Sequence, residues 1–321
     1  MQTKPFIIAL EEHYHDPAVR EKFEGYDRGL PPGLRPRLDD LGAGRLKDMD
    51  EAGIDLQVLS HAAPSVQKMD PETSVRLARE ANDRLAATVQ AHPTRFAAFA
   101  ALPTPDPGAA AAEIERAVTK LGFKGAMIHG LTSGRLFHDD KRFWPIYERA
   151  QALDVPIYIH PAYPHPAVIE AYYKDYEREW PTFAIEGWGF AVETATQGLR
   201  LILSRVFDTY PGLKIILGHM GEGLPFSMWR INASLSRFGK KADYVRDIFR
   251  THFYVTTSGF FSDIALQCCV AELGIDRVMF SIDYPYMENR PGSSWIEAAP
   301  LGPEDKTKVL SGNARRLLKM T

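Results

Sequence analysis

The stretch FIIALEEHYHDP, residues 6–17, raises the question that decides the fold. Its first five residues are β-branched or apolar, as in a strand that is buried on both faces. The run then stops at Glu11 and Glu12, which are followed by His13 and His15. Two explanations are open, since these polar residues could be solvated at the surface or could begin a metal site. The answer depends on whether other segments bring residues of the same kind to the same place.

Short apolar runs recur along the chain and alternate with longer segments of helical periodicity. Residues 72–92 repeat apolar side chains at three- and four-residue spacing, and residues 106–122 begin at Asp-Pro and end at Gly, as a capped helix does. Buried strands that alternate with helices indicate a parallel sheet. The runs are FIIAL (6–10), LQVLS (56–60), FAAFAAL (96–102), KGAMI (124–128), PIYI (156–159), KIILG (214–218), FYVTT (253–257) and VMFSI (278–282).

Eight such units in 321 residues predict an α/β fold of the closed (β/α)8 TIM-barrel type. An open, doubly wound sheet that binds a dinucleotide is disfavoured, because no G-x-G-x-x-G motif follows the first run. In a barrel, the residues that follow each strand meet on one rim. The residue types at the ends of the runs therefore become the next question.

The composition excludes several classes of function. With 45% hydrophobic and 25% charged residues the chain matches soluble globular proteins, and a net charge of −3 provides no basic surface for nucleic acid or anionic membranes. No apolar run approaches the roughly 18 residues of a membrane span, and the opening stretch lacks the features of a signal peptide. Cys268 and Cys269 are adjacent, which predicts structural thiols rather than a disulfide. We therefore expect a cytoplasmic protein.

One segment, residues 161–190, interrupts the alternation after the fifth run. Aromatic side chains are enriched both in ligand pockets and at subunit interfaces. We expect this insertion to be a lid over the site, a contact between subunits, or a mixture of the two, with a homodimer or homotetramer favoured. Its aromatic residues are Tyr163, Tyr172, Tyr173, Tyr176, Trp180, Phe183, Trp188 and Phe190.

Polar and titratable residues stand where the apolar runs end. Barrel enzymes carry their catalytic groups at the C-terminal ends of the strands. The chain has ten histidines, and random placement would scatter them among helices and loops. We therefore predict one divalent-metal site on this rim, and imidazole and carboxylate ligands without thiolates predict Zn²⁺ or Mn²⁺. The run-end residues are Glu11, Glu12, His13, Ser60, His61, His129, His160, His219, Thr257, Ser258 and Asp283.

The first run offers two possible pairs of metal ligands. Glu11, His13 and His15 share one face of an extended segment, and Glu12 points away from that face. Either Glu11 with His13 or His13 with His15 could chelate an ion. The spacing alone leaves both pairs open.

Five motifs resemble the decarboxylase branch of the amidohydrolase superfamily, in particular the γ-resorcylate and 2,3-dihydroxybenzoate decarboxylases. The resemblance extends over nearly the whole chain and implies a single domain over residues 1–321. It implies one divalent ion held by Glu11, His13, His160 and Asp283, and so favours the first of the two pairs. The motifs are ALEEH (9–13), YIHP (158–161), ILGHMGEGLPFSMWRI (216–231), FSIDYPY (280–286) and GNARRL (312–317).

The resemblance also implies roles for particular residues in a reaction. Asp283 would donate a proton to the aromatic ring, with His219 and Glu222 as further catalytic residues and with Arg230 and His160 contacting the substrate. The implied activity is non-oxidative decarboxylation of an ortho-hydroxylated aromatic acid, whose carboxylate and phenolate the metal chelates. His129 and residues 161–180 depart from the family pattern, which leaves the particular acid open.

Two other functions use the same rim. The first is a metal-dependent hydrolase of a lactone, amide or ester, in which a metal-bound hydroxide attacks the substrate. The second is a barrel that binds or assembles without catalysis, which predicts gaps in the ligand set. The candidate ligand set has no gaps, and this disfavours the second alternative.

Overall fold

The computed structural model describes residues 5–238 and 243–320. We number strands and helices in chain order. The strands are β1 Ile8–Tyr14, β2 Leu56–His61, β3 Phe96–Ala98, β4 Ala100–Ala101, β5 Ala126–His129, β6 Ile157–His160, β7 Ile215–Leu217, β8 Phe253–Thr256 and β9 Val278–Met279. The helices are α1 Pro17–Arg20, α2 Leu34–Asp39, α3 Ala43–Ala52, α4 Pro71–Ala91, α5 Pro107–Leu121, α6 Trp144–Leu153, α7 Pro166–Val168, α8 Gly189–Leu203, α9 Val206–Thr209, α10 Leu224–Leu235, α11 Tyr244–His252, α12 Asp263–Leu273, α13 Asn289–Ala298, α14 Pro303–Thr307 and α15 Asn313–Leu318.

The strands form a closed parallel barrel. Neighbouring strands pair in parallel in the order β1-β2-β3 and β4 to β9. β3 and β4 are two halves of one barrel strand, since only Phe99 separates them and its N–H donates to the Leu59 carbonyl. Asp283 N–H donates to the Glu11 carbonyl at 3.0 Å, which joins the chain after β9 to β1. The predicted eight-stranded barrel is confirmed.

The helices begin and end where the local sequence predicts. The Asp106 side chain accepts a hydrogen bond from Ala109 N–H at the start of α5, and Gly122 ends that helix in a left-handed conformation. α4 spans Pro71–Ala91, one residue from the predicted limits. Cys268 and Cys269 on α12 are free thiols. Within the described ranges, no helix has both the length and the apolarity that crossing a bilayer requires.

The barrel interior is apolar at one end and polar at the other. Ile8 and Leu10 of β1 pack inside the barrel with Val58 and Tyr158. At this end α15 covers the barrel, because Ala314, Leu317 and Leu318 join the same cluster. The interior is therefore a filled core rather than a pore, and the space for a site lies at the opposite end.

A bulge in β1 turns its acidic and imidazole side chains into the barrel. Ala9 is paired with Gln57 but Glu12 is paired with Leu59, so β1 holds one residue more than β2 over this stretch. One extra residue reverses the inward and outward alternation of a strand. Leu10 therefore faces the interior before the bulge, and Glu11 and His13 can face it afterwards.

The insertion over residues 161–190 is built from short helical turns. After α7 come a π-helical turn, Ile169–Tyr173, and a 3-10 turn, Lys174–Tyr176. The Phe183 ring meets the Tyr173 ring edge-on with centroids 5.0 Å apart. Trp180 and Trp188 remain 64% and 54% exposed. The expected single domain over residues 1–321 stays a prediction, and residues 1–4, 239–242 and 321 lie outside the described residues.

Candidate metal centre

Four side chains meet at the C-terminal mouth of the barrel. Glu11 and His13 come from β1, His160 ends β6, and Asp283 follows β9. One ligand atom of each lies within 4.8 Å of the other three. Glu11 Oε1 is 3.1 Å from His160 Nε2, and His13 Nε2 is 3.2 Å from Asp283 Oδ1. The structure thus brings together the set that the family resemblance implies.

The remaining histidine of the first motif lies outside this group. The ring of His15 contacts the rings of Phe23 and His61, with centroids 5.7 Å away in both cases. His15 is buried, and burial with the nearby His61 lowers its pKa to about 2. Of the two pairs that the sequence left open, Glu11 with His13 is the one that faces His160 and Asp283.

The four side chains fit a divalent cation. Glu11 Oε1, His13 Nε2 and Asp283 Oδ1 are buried, and none of them has a hydrogen-bond partner among the described residues. Buried polar atoms in proteins are nearly always paired, so three such atoms at one point indicate a site that can bind a cation. Two carboxylates and two imidazoles without a thiolate are a donor set that suits Zn²⁺ or Mn²⁺.

The electrostatics of the group also favour a positive charge at this point. Burial by itself lowers the pKa of His13, but the carboxylates of Asp283 and Glu11 outweigh it and raise that pKa to about 9. Burial by itself raises the pKa of Glu11, but His219, His13 and His160 hold it well below its ordinary value. The carboxylates therefore stay negative, and a cation can take the place of the imidazole protons.

The second oxygen of Glu11 is held by hydroxyl groups from two other strands. Tyr158 of β6 and Ser258, just after β8, both donate to Glu11 Oε2. Thr256 Oγ1 lies 2.7 Å from the Tyr158 hydroxyl. A Cβ atom at Gly218 would lie only 2.6 Å from Glu11 Oε2, so a larger residue there would displace this carboxylate. These contacts leave Oε1 as the oxygen of Glu11 that can bind a metal.

His160 is oriented in a similar way by its other ring nitrogen. Its Nδ1 lies 2.6 Å from the Pro161 carbonyl, which can only accept, so Nδ1 carries the proton. The lone pair of Nε2 then points towards Glu11 Oε1 and the centre of the group. His129 Nδ1 lies 3.1 Å from the same His160 nitrogen, which places His129 directly behind a metal ligand. His61 instead accepts the Asp16 N–H at its Nε2.

The predicted residues His219 and Glu222 border the ligands on a strained turn after β7. His219, Met220 and Glu222 have φ angles of 47°, 55° and 57°, a left-handed conformation that is costly for residues other than glycine. His219 Nδ1 lies 2.8 Å from the Glu222 carboxylate, and its Nε2 lies 3.5 Å from Asp283 Oδ2. Burial opposes protonation of His219, but Glu222 and Glu11 raise its pKa well above the ordinary value.

Asp283 is also in a left-handed conformation, with a φ angle of 72°. Burial by itself raises the pKa of its carboxyl, but His13 and His219 outweigh burial and lower that pKa. With no substrate present, Asp283 is therefore a carboxylate, which is the state of a metal ligand. To act as a proton donor, Asp283 would need a pKa that is raised above its ordinary value.

Arg230 is the one predicted site residue that the structure leaves apart from the others. It is exposed on α10, and in residues 5–238 and 243–320 no hydrogen bond or ion pair joins it to the four ligands. A residue that sequence reasoning missed lies closer, since the Tyr286 ring meets the His13 ring with centroids 5.6 Å apart. Tyr286 belongs to the FSIDYPY motif, so its proximity to Asp283 in the chain was the available signal.

Comparison with known proteins agrees with the geometry. A sequence profile described as amidohydrolase matches residues 12–320. The chain belongs to the amidohydrolase family. It is 42% identical over 327 residues to a γ-resorcylate decarboxylase of Polaromonas sp., an alignment that covers 98% of each chain. The family membership expected from the five motifs is confirmed.

Solved structures of two relatives match this amidohydrolase over almost their whole length. One is a dihydroxybenzoic acid decarboxylase from Polaromonas sp., solved with bound manganese and the inhibitor 2-nitroresorcinol; it is 40% identical, with a TM-score of 0.90, and the match covers 99% of this chain and 98% of that one. The other is a 5-carboxyvanillate decarboxylase from Sphingomonas paucimobilis, 37% identical, with a TM-score of 0.92 and coverage of 99% and 100%.

Proposed function

We propose that this amidohydrolase removes the carboxylate, as CO₂, from an aromatic acid with a hydroxyl group ortho to that carboxylate. The observation that carries the proposal is the group Glu11, His13, His160 and Asp283, with three buried ligand atoms that lack partners. The inhibitor bound to the Polaromonas relative supports the substrate class. 2-Nitroresorcinol has a nitro group between two hydroxyls, and its oxygens are arranged like those of a 2,6-dihydroxybenzoate.

The ortho hydroxyl is what makes this reaction feasible. Direct loss of CO₂ would leave an electron pair in the ring plane, where the π system cannot delocalise it. A phenolate instead pushes electron density onto the carbon that bears the carboxylate, and that carbon takes a proton. The C–C bond then breaks, CO₂ leaves, and its bonding electrons restore aromaticity. A divalent ion bound by the four ligands would supply a Lewis acid and a template for the phenolate and carboxylate oxygens.

Asp283 is the proposed proton donor to the ring carbon. It stands at the mouth with one oxygen, Oδ1, among the ligand atoms and the other, Oδ2, 3.5 Å from His219 Nε2. Its pKa is low without substrate, so this role requires an anionic substrate and the exclusion of water to raise it. His219, held at Nδ1 by Glu222, is proposed to orient the substrate or to move a proton at Nε2.

His160 and Arg230 are the proposed substrate contacts. His160 borders the substrate position because its ring packs against both His13 and His219, with centroids 4.6 and 6.1 Å away. An arginine can form a charge-assisted hydrogen bond with a substrate oxygen. The guanidinium of Arg230 is exposed, and such a contact at the mouth would bring it into the site.

We also infer a homodimer or homotetramer, with the insertion over residues 161–190 as part lid and part subunit contact. Exposed aromatic side chains support the assembly, since Phe226 and Trp229 on α10 are 86% and 72% exposed. Glu186 of the insertion supports the lid, because burial, Asp283 and Glu186 together raise the pKa of Tyr286, which lies beside His13. The cytoplasmic location stays a prediction.

The test is a screen for CO₂ release by purified protein supplied with Mn²⁺. The substrates are 2,6-dihydroxybenzoate, 2,3-dihydroxybenzoate and salicylate, with 3- and 4-hydroxybenzoate as matched acids that cannot chelate through a neighbouring hydroxyl. We expect CO₂ from ortho-hydroxy acids only. Release from 4-hydroxybenzoate alone would contradict the proposal. Hydrolysis of a lactone, amide or ester without any CO₂ release would favour the hydrolase alternative.

A further inference from the structure

A second buried carboxylate, Glu12, lies beside the metal ligands but on the opposite face of β1. Its side chain is fully buried. Glu12 Oε1 accepts hydrogen bonds from Ile282 N–H at 2.9 Å and from the Ser281 hydroxyl at 3.0 Å. Glu12 Oε2 accepts from Tyr284 N–H at 3.1 Å. The two N–H groups belong to the residues on either side of Asp283.

We infer that Glu12 is a positioning residue that fixes Asp283 in the metal centre. The inference rests on the proposed function, because Glu12 would act through Asp283, which the proposed function makes both a metal ligand and the proton donor. Asp283 itself donates its N–H to the Glu11 carbonyl at 3.0 Å. The N–H groups of residues 282, 283 and 284 are thus all bound by residues 11 and 12 of β1.

The backbone at Asp283 needs such support. Its φ angle of 72° lies in the left-handed region, which is strained for a residue other than glycine. A strained conformation persists only where its surroundings determine it, and here one carboxylate determines the N–H direction on both sides. The Ser281 hydroxyl extends this control, since it also accepts the Glu11 N–H at 2.6 Å. Glu12 therefore links the first metal ligand to the last.

A buried guanidinium lies one side chain away from Glu12. Arg45 of α3 is fully buried, and its Nη1 donates to Gln57 Oε1 at 3.1 Å. Gln57 Nε2 in turn lies 3.4 Å from Glu12 Oε2. Arg45 also donates to the His13 carbonyl and stacks over the Tyr284 ring at 4.7 Å. The network of Glu12, Gln57 and Arg45 therefore contacts the backbone both of β1 and of the residues after β9, where the barrel closes.

Glutamine cannot replace the carboxyl group of Glu12 at this position, because both oxygens accept hydrogen bonds. Glutamine would keep one accepting oxygen but would turn an NH₂ group towards a backbone N–H, and two donors would face each other. The fourth ligand would then lose its fixed position. Ligand positions that are set by surrounding hydrogen bonds typically control metal affinity by about 10–100-fold.

The experiment compares Glu12→Gln with Glu113→Gln, using Mn²⁺ alone as the probe. Glu113 is the matched control, because it is also a buried carboxylate, 7% exposed, that accepts hydrogen bonds from Asn82 and Arg116. Mn²⁺ affinity is measured by electron paramagnetic resonance of the free ion, and folding by thermal unfolding. We expect Glu12→Gln to bind Mn²⁺ about 10–100-fold more weakly. Affinity for Glu113→Gln should stay within about twofold of wild type.

A purely structural role for Glu12 would lower the unfolding temperature and leave the Mn²⁺ affinity of the folded protein unchanged. That outcome would overturn the inference. If Glu12→Gln does not fold, Glu12→Asp takes its place with the same two outcomes, since it keeps the carboxyl group but is one methylene shorter. Weakened Mn²⁺ binding in the variant, with no CO₂ release by wild type from any ortho-hydroxy acid, would support the inference and contradict only the proposed function.

Discussion

The metal centre at the C-terminal mouth of the barrel and the insertion over residues 161–190 both carry side chains of the kinds that bind ligands. The side chains of the two regions are held in different ways. On the rim, ligand positions are tied to neighbouring strands, as where Asp283 N–H binds the Glu11 carbonyl across the closing seam. In the insertion, the Phe183 ring contacts Tyr173 and Tyr176, which are near neighbours in the chain, and Trp180 and Trp188 stay more than half exposed. A site built from barrel strands is determined by the barrel, whereas the insertion depends on partners outside those strands.

Replacing the metal ligand Asp283 should lower the rate of CO₂ release more than any other change. We expect Asp283→Asn to lower kcat by about 10²-fold or more, because an amide N–H is too weak an acid to protonate the ring carbon. The measurement is the initial rate of CO₂ release with Mn²⁺ shown to be bound. Asp263→Asn is the control, since that carboxylate accepts the Trp295 indole N–H and is not one of the four ligands. A metal-loaded Asp283→Asn protein that keeps more than about a tenth of the wild-type rate would exclude the proton-donor role.

Replacing a residue that supports a ligand, but does not itself bind the metal, should have a smaller effect. Tyr158→Phe removes the hydroxyl that donates to Glu11 Oε2 and should weaken Mn²⁺ binding about tenfold. Tyr147→Phe is matched to it, because Tyr147 is equally buried but donates to the His138 carbonyl. Titration with Mn²⁺ compares the two variants. Equal affinities in both would mean that the support of Glu11 has no part in metal binding.

At the base of the insertion, the expected effect is on stability and depends on pH. Glu193 on α8 is buried, and burial raises its pKa to about 7 although the His165 backbone partly opposes this. The folded protein therefore holds a proton that the unfolded chain releases near pH 4.5, so this contribution to stability is lost as pH rises towards 7 and above. Glu193→Gln removes that dependence.

Thermal unfolding at several pH values checks this expectation. Between pH 5 and pH 8, the Tm of wild type should fall by about 3 °C more than that of Glu193→Gln. Metal affinity should be the same in both proteins, since Glu193 is not among the ligands. Parallel curves of Tm against pH would show that the carboxyl of Glu193 titrates normally.

Most of the fold could be predicted from the sequence, because apolar runs and helix caps are local signals. The limits of the runs and of the strands nevertheless differ. The run over residues 278–282 forms a strand only at Val278–Met279, since Phe280 N–H donates to the Val309 carbonyl instead of to a neighbouring strand. The run over residues 96–102 is interrupted at Phe99. Such interruptions depend on partners distant in the chain, which periodicity does not contain.

The candidate site could be predicted only in part, because some of its contacts also depend on partners that are distant in the chain. Its ligands stand at the ends of apolar runs, where a polar residue is conspicuous. Tyr158 and Gln57 lie inside apolar runs, and Arg45 lies elsewhere in the chain, so only the closed barrel places them around β1. The bulge that turns Glu11 inward also has no local sequence signal, because it appears only in the pairing with β2.

The central claim is that Glu11, His13, His160 and Asp283 hold one divalent ion on which the release of CO₂ depends. The most direct test strips the protein with a chelator, removes the chelator, and follows CO₂ release from 2,6-dihydroxybenzoate while Mn²⁺ is added back. The account predicts no release from stripped protein and a rate that rises to a plateau at one ion per chain. Stripped protein that works at the full rate would contradict it.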